Sequence, residues 1–203
     1  MMLYSWISFW LTYLIGGCLF YNDQSVLQIN HSITVKQLLN AIGLNAFLTF
    51  LCIPLANLVP PIIHVPDTLF GYVGRVILAL MIGDLWFYFT HRLLHHPYLY
   101  FLHKQHHTYV KPHAMAGLYA SAFEMLISNH LSMILALRLV ECHSIPMLCI
   151  ESAVVALNIL KSHSGADNAL NGSPHHNLHH EKMNCNYGFS YITDIVFGTY
   201  QST

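Results

Sequence analysis

Residues 84–107 read DLWFYFTHRLLHHPYLYFLHKQHH, an apolar run that passes directly into two histidine clusters. His91, His95 and His96 form the first cluster, and His103, His106 and His107 the second. Residues three and four apart share one face of a helix. His91 with His95, and His103 with His106 and His107, therefore aim imidazoles in common directions. A third cluster lies far downstream, His175-His176-Asn-Leu-His179-His180, so that ten of the sixteen histidines fall in three groups. Neutral imidazole is the commonest metal ligand. One zinc or one iron takes three or four protein ligands, so eight or more convergent histidines point to two ions.

The rest of the chain places these clusters at a membrane. Of its 203 residues 55% are hydrophobic and only 8% charged, against about 25% charged in a soluble domain. Mean hydropathy is +0.46. Leu3 to Tyr21, Ala41 to Ile63 and Thr68 to Thr90 each approach the ~20 residues that cross a bilayer core. Pro60-Pro61 and His64 to Asp67 mark the bend between the second and third, which predicts an antiparallel hairpin. Ala114 to Leu137 and Ile145 to Leu160 form another apolar pair, turning at Arg138 to Ser144; its second member is short for a full span. The expected fold is an all-α integral membrane bundle of about four to five helices in hairpins. Residues 1–65 are expected to be anchor helices and 66–203 the domain that carries the histidines.

Because each hairpin leaves and returns on one side, all three clusters share a side. Arg92, Lys104, Lys111, Lys161 and Lys182 lie there too, which the positive-inside rule makes cytosolic. The sequons Asn30-His-Ser and Asn171-Gly-Ser carry no weight on this topology. The five cysteines include no Cys-x-x-Cys pair, which argues against a disulfide framework or a thiolate zinc site and for a reducing compartment. Eight Lys and Arg against nine Asp and Glu give no reason to expect nucleic acid as a partner.

The acids are few. Asp84, Tyr88, His91 and His95 fall in one helical stripe, at offsets of four, seven and eleven. Asp84 is either an acceptor for a metal-bound imidazole or an ordinary paired acid; Arg75 lies on the opposite face of the helix. Glu124 and Glu151 sit inside apolar runs, where an acid is expensive unless used or partnered. A lone histidine is ordinarily a polar residue with a hydrogen-bond partner, and His31, His64 and His143 are read so; His113 and His130 stay open. Neither His-Glu-x-x-His nor Glu-x-x-His occurs, which excludes a zinc metalloprotease and a carboxylate-rich di-iron bundle. No Gly-rich nucleotide loop is visible, so reducing power must come from a separate protein.

The order HxxxH, HxxHH, HxxHH around membrane hairpins resembles the fatty acid hydroxylase/sterol desaturase superfamily. "HRLLH", "LYFLHKQHH", Glu124, "HSG" at 163–165, "HHNLHH", "NCNYG" at 184–188 and the closing "DIVFGTY" are similar to its signatures, over about residues 70–200. The third box looks like that of cholesterol 25-hydroxylase, and the first two look like those of C4-methylsterol oxidases. The resemblance implies membrane enzymes of the endoplasmic reticulum with two histidine-held irons. It implies O2 as co-substrate, electrons from cytochrome b5 or an NAD(P)H-dependent reductase, and a lipid substrate, sterol or fatty acyl, drawn from the bilayer. It carries over to His91, His95, His103, His106, His107, His163, His176, His179 and His180 as metal residues, with Asp84 and Glu124 as the candidate catalytic carboxylates. His96 and His175 are neighbours of box positions. The chain departs from the pattern at Asn177, at Thr90 and in a shortened segment between His163 and His175. A lipid hydroxylase is the leading expectation. A desaturase is its close variant, and a non-catalytic metal-binding membrane protein the alternative of another class.

Overall fold

The structure is a computed structural model that describes residues 1–20, 33–56, 58–65, 68–110, 112–141, 145–164 and 174–202. The two sequons, His31, Lys111, Cys142, His143 and the segment 165–173 lie outside the described residues. In chain order the helices are α1 (Met2–Phe20), α2 (Val35–Leu51), α3 (Ile53–Ala56), α4 (Leu69–Leu94), α5 (Ala122–Glu124), α6 (Leu131–Leu139), α7 (Ile145–Ser162), α8 (Pro174–Lys182) and α9 (Tyr191–Val196). A π-helix, Met125–His130, joins α5 to α6. No strand occurs among the described residues.

Among the described residues, four segments are long and apolar enough to cross a bilayer: Met2–Leu19, Phe70–Leu94, Ala122–Leu139 and Ile145–Ser162. Their outer faces are apolar too. On α4, Val73, Ile77, Met81, Leu85 and Phe89 recur every four residues and are all exposed. Such a stripe is an aggregation hazard in water and the ordinary surface of a helix in lipid. The fold is the expected all-α membrane bundle, with differences at the segment boundaries.

Ala41 to Ile63 does not form one helix. The chain is helical from Val35, stops at Leu51 and restarts as the short α3. Pro54 lacks an amide hydrogen and its ring crowds the preceding turn, so one continuous helix is blocked there. The Thr68 side chain caps α4 at its start, accepting from Gly71 N at 3.0 Å, and the helix continues to Leu94, past the expected Thr90. Ala114 to Ala120 stays out of the next span. Tyr13 Oη donates to Met115 O (2.9 Å) and accepts from Leu118 N (3.2 Å), while Asn45 Nδ2 donates to the carbonyls of Leu118 (3.3 Å) and Ala120 (3.1 Å). With those backbone groups occupied by α1 and α2, the span starts at Ala122, under a Ser121 cap. Helix α7 runs to Ser162 and is long enough to cross.

Helix α1 lies along α7. Ser5 Oγ meets Ser152 Oγ at 2.5 Å, and Ser8 Oγ donates to Cys149 O at 2.8 Å; small polar side chains of this kind let membrane helices approach closely. Phe9, Trp10 and Tyr13 of α1 share one buried core with Leu38 and Ile42 of α2, Met125, and Ala156 and Leu160 of α7. Helix α4 packs against α6. The π turn breaks the regular hydrogen-bond ladder, and Trp86 Nε1 of α4 donates to Ile127 O within it at 2.8 Å. These contacts fix the ends of α4, α5 and α7 together on one side, where the histidines lie.

Candidate metal centre

Each cluster arrives on a different piece of backbone. Helix α4 ends at the site, carrying His91 in its last turn and His95 at its C-cap. Two 3-10 turns, Tyr100–Leu102 and His106–Thr108, bring in His103, His106 and His107. His163 follows the last residue of α7, and α8 supplies His176, His179 and His180.

The nine rings form two nests. His91, His95, His103, His107 and His179 make one; His106, His163, His176 and His180 make the other, with ligand atoms inside each nest within 4.8 Å of one another. Adjacent histidines are thus divided: His106 from His107, and His180 from His179. In HxxHH the final pair straddles two centres, because neighbours point about 100° apart on an α-helix and about 120° apart on a 3-10 turn.

In both nests it is Nε2 that turns inward. The first has Nε2···Nε2 separations of 3.1 Å for His91–His103, His103–His95 and His95–His179, and 3.2 Å for His179–His107. The second has 2.9 Å for His176–His163, 3.2 Å for His180–His176 and 3.3 Å for His163–His106. With metal–nitrogen bonds of about 2.1 Å, ligands at right angles lie about 3.0 Å apart and tetrahedral ones about 3.4 Å, so the observed edges suit a metal polyhedron.

The outer nitrogens settle the tautomers. His91 Nδ1 donates to Tyr187 O (2.7 Å), His179 Nδ1 to Cys185 O (2.7 Å), His180 Nδ1 to Tyr109 O (3.0 Å) and His163 Nδ1 to Ile159 O (2.8 Å). A carbonyl only accepts, so each of these neutral rings carries its proton on Nδ1 and a bare lone pair on Nε2. Protonation cannot relieve the crowd of lone pairs. Burial, then the charge that neighbouring histidines would carry, pushes His95 down to about 2; burial first, then His91 and His163, pushes His107 down to about 3. Burial holds His163 at about 4, against the opposing pull of Ile159 O, and His106, His176, His179 and His180 lie well below the ordinary range for the same leading reason. Neutral, buried, inward-facing lone pairs fit divalent cations with a taste for imidazole, such as zinc or iron.

The carboxylates stand outside the nests. Glu124 Oε2 is 2.9 Å from His103 Nδ1, both groups buried, and orients that ring. Asp84 meets Ser190 instead of an imidazole of either nest: its oxygens accept from Ser190 N and Ser190 Oγ, both at 2.8 Å, at the start of α9. Its stripe partner Tyr88 likewise meets the C-terminal segment, Oη being 3.1 Å from Thr199 Oγ1. His96 is exposed, and His175 Nε2 lies 3.5 Å from Asp194 Oδ2 instead of in a nest. His64 pairs with Glu141. His113 is buried against Tyr109, with ring centroids 4.9 Å apart, outside both nests.

Asp194 is the residue that spacing did not single out. Fully buried, it accepts from Tyr187 N (2.7 Å), Gly188 N (2.8 Å) and Thr199 Oγ1 (2.7 Å). Burial raises its pKa, yet His175 and these three donors outweigh burial and leave it below the usual carboxylate value. It thereby fixes the loop whose carbonyls at Cys185 and Tyr187 hold His179 and His91. Gly188 has no Cβ because one would meet Thr193 Oγ1, Ser190 O and Asp194 Oδ2. Between those carbonyls Asn186 adopts a left-handed conformation (φ 56°). Its side chain donates to His175 O and Gln201 O at 3.0 Å and accepts from Gln201 N at 2.8 Å. Those roles account for "NCNYG" and for the first residue of "DIVFGTY". Gly117 does the same for the other nest: a Cβ there would lie 2.7 Å from Ile159 Cγ2 and 2.9 Å from His163 Nδ1.

Toward the membrane interior the centre borders a mostly apolar cavity of about 80 Å³ between α1, α4, α6 and α7. Phe87, whose ring lies 5.0 Å from that of His91, and Ile159, whose carbonyl holds His163, are on its wall.

Residues 76–199 match the model of the fatty acid hydroxylase family. Fatty acid hydroxylase domain-containing protein 2 of Homo sapiens is 31% identical over 134 residues, covering 65% of this chain and 40% of that protein. Methylsterol monooxygenase 1 of Rattus norvegicus is 33% identical over 138 residues, 63% of this chain and 46% of that one. Fatty acid hydroxylase ahd1 of Mycosarcoma maydis is 32% identical over 130 residues, 63% and 33% respectively. The chain thus spans less than half the length of these relatives. No solved structure matches it at a significant level. With a family match over more than half its length, the chain belongs to the fatty acid hydroxylase family.

Proposed function

We propose that the protein is a multi-pass membrane lipid hydroxylase that holds two irons in its histidine nests and uses O2 to hydroxylate a C–H bond of a sterol or fatty acyl chain. The observation that carries this is the pair of nests, nine neutral imidazoles with Nε2 inward, beside an apolar cavity at the level of the bilayer. The relatives named monooxygenase and hydroxylase support the same reading. Protein side chains alone cannot break an unactivated C–H bond; bound iron supplies that oxidising power from O2 and electrons. The electrons come from outside, through cytochrome b5 or an NAD(P)H-dependent reductase, on a cytosolic face that in a eukaryote is that of the endoplasmic reticulum.

The chain's own residues hold and orient. The carbonyls of Tyr187, Cys185, Tyr109 and Ile159 hold four of the nine imidazoles, and Glu124 lies against a fifth, so that their Nε2 lone pairs face the ions. Asp84 and Asp194 steady the C-terminal segment that supplies two of those carbonyls. Residues 66–203 carry the chemistry, and 1–65 anchor it and add Trp6, Phe9 and Trp10 to the cavity wall. That wall excludes water, which protects a strongly oxidising site from side reactions. A metal carrier would need ligands strung along a path; these are locked rings on one side.

The test is lipid mass spectrometry on membranes expressing the protein, supplied with O2, NADPH, reductase and cytochrome b5, beside His179→Ala and His96→Ala. A product heavier by one oxygen atom, absent from His179→Ala and kept by His96→Ala, is expected. Loss of two hydrogens instead makes the enzyme a desaturase. Product from His179→Ala overturns the metal assignment.

A further inference from the structure

Glu151 lies outside both histidine nests. It lies near the middle of α7, is 6% exposed, and neither carboxyl oxygen has a hydrogen-bond partner among the described residues. An acid inside a membrane span costs about 2.5–3.5 kcal/mol even on the most lenient scale, and an unmet buried acceptor adds to that. Its surroundings indicate what it waits for. Glu151 lines the internal cavity and also a second, more open groove between α4 and α7, walled by Tyr72, Val76, Met147 and Val154. Among the described residues only Leu80 and Glu151 border both. The carboxyl therefore sits where the groove between α4 and α7 meets the cavity whose wall also carries Phe87 and Ile159, neighbours of His91 and His163. His130, on the π-helix, brings an unpartnered Nε2 to the same cavity.

We propose that Glu151 is the recognition group for a lipid alcohol, which enters sideways from the bilayer between α4 and α7 and leaves its hydroxyl on this carboxyl while its apolar body reaches the metal centre. This rests on the lipid-hydroxylase reading above. The chemistry selects the class. A hydroxyl both donates and accepts, so it pairs with the carboxyl in either protonation state, whereas an ester or thioester carbonyl can only accept and an ionised fatty acid would face an ionised Glu151 as like charge. The placement selects the orientation. Glu151 and His163 are twelve residues apart, about 18 Å of helix axis at 1.5 Å per residue. The carbon that reacts is thus at the far end of the molecule from the hydroxyl that is recognised.

The test uses the iron-loaded protein in phosphatidylcholine nanodiscs, as wild type, Glu151→Leu and Glu151→Gln, with radiolabelled cholesterol, its 3-O-methyl ether and palmitate as probes. Wild type is expected to bind the alcohol about tenfold more tightly than the ether, the value of one hydrogen bond in a dry site, and to reject palmitate. Glu151→Leu is expected to bind alcohol and ether alike, and Glu151→Gln, which keeps one acceptor, to retain part of the preference; iron content stays at the wild-type level in all three. An equal alcohol-to-ether ratio in wild type and Glu151→Leu overturns the proposal, as does a wild type that binds neither. Discriminating binding without any oxidised product leaves Glu151 as the recognition group and removes the hydroxylase reading. Turnover that ignores the change at Glu151 does the reverse.

Discussion

Replacing Asp194 by alanine removes the acceptor of two backbone N–H groups and one hydroxyl at a fully buried position. Hydrogen bonds to a charged group contribute about 1.5–3 kcal/mol each. Because the three share one carboxylate and are not additive, the loss is about 4 kcal/mol, enough to free the loop around Tyr187. The consequence for metal is uneven. The carbonyls of Cys185 and Tyr187 hold His179 and His91, both in the five-histidine nest, whereas His163 and His180 are held by Ile159 and Tyr109 from other parts of the chain. Loss of such an outer partner lowers metal affinity about 10–100-fold. Purified Asp194→Ala, dialysed against graded chelator and analysed by elemental mass spectrometry, should fall from two metals per chain to about one at a chelator concentration that leaves wild type full. Asp194→Asn, which keeps one oxygen to accept, should lie between. If Asp194→Ala holds both metals as tightly as wild type, the loop does not govern the nest and the reasoning fails.

Gly117→Ala should produce the opposite loss. Its new Cβ would press on Ile159 and His163, so the four-histidine nest empties first, and the double variant with Asp194→Ala retains no metal; a fully loaded Gly117→Ala refutes the steric account. Glu124→Leu should lower metal content and product at least tenfold by releasing His103, with Glu124→Gln milder; equal metal retention in wild type and Glu124→Leu removes the orienting role. The metal-free protein should lose stability as pH falls. Burial leads in depressing His163 to about 4 and His107 to about 3, below the ~6.5 of an unfolded chain. Between those values the unfolded state binds more protons, so each such group removes about 1.4 kcal/mol per pH unit below about 6.5. Thermal unfolding in detergent at pH 7.5, 6.0 and 5.0 measures this, and a flat profile contradicts it.

Much of the molecule is legible along the chain because its signals are local. Apolar runs near twenty residues mark a membrane helix wherever they occur, and imidazoles at offset four share a nest, whereas the offset-three pairs His103–His106 and His176–His179, expected on a common face, serve different nests. His91 with His95, or His176 with His180, can be read that way without any knowledge of the fold. His163 stands alone in the sequence and came only through the "HSG" resemblance. Helix ends were less legible: the break after Leu51 and the start at Ala122 depend on Pro54 and on Tyr13 and Asn45 holding distant backbone groups.

By itself, then, the sequence determined a charge-poor helical membrane protein with its histidines gathered on one side, since hydropathy and helical spacing act over a few residues. Tertiary structure alone decided how the nine rings divide, with His106 and His107 serving different nests. It also decided that Asp84 holds Ser190 instead of a histidine, and that Asp194 governs a loop. It placed Glu151 where the groove meets the cavity. The reason is physical. The groups that lock the rings are largely backbone carbonyls, which every residue carries and no sequence pattern betrays. Two of them reach their imidazoles across long stretches of chain, 96 residues for Tyr187 and His91 and 71 for Tyr109 and His180.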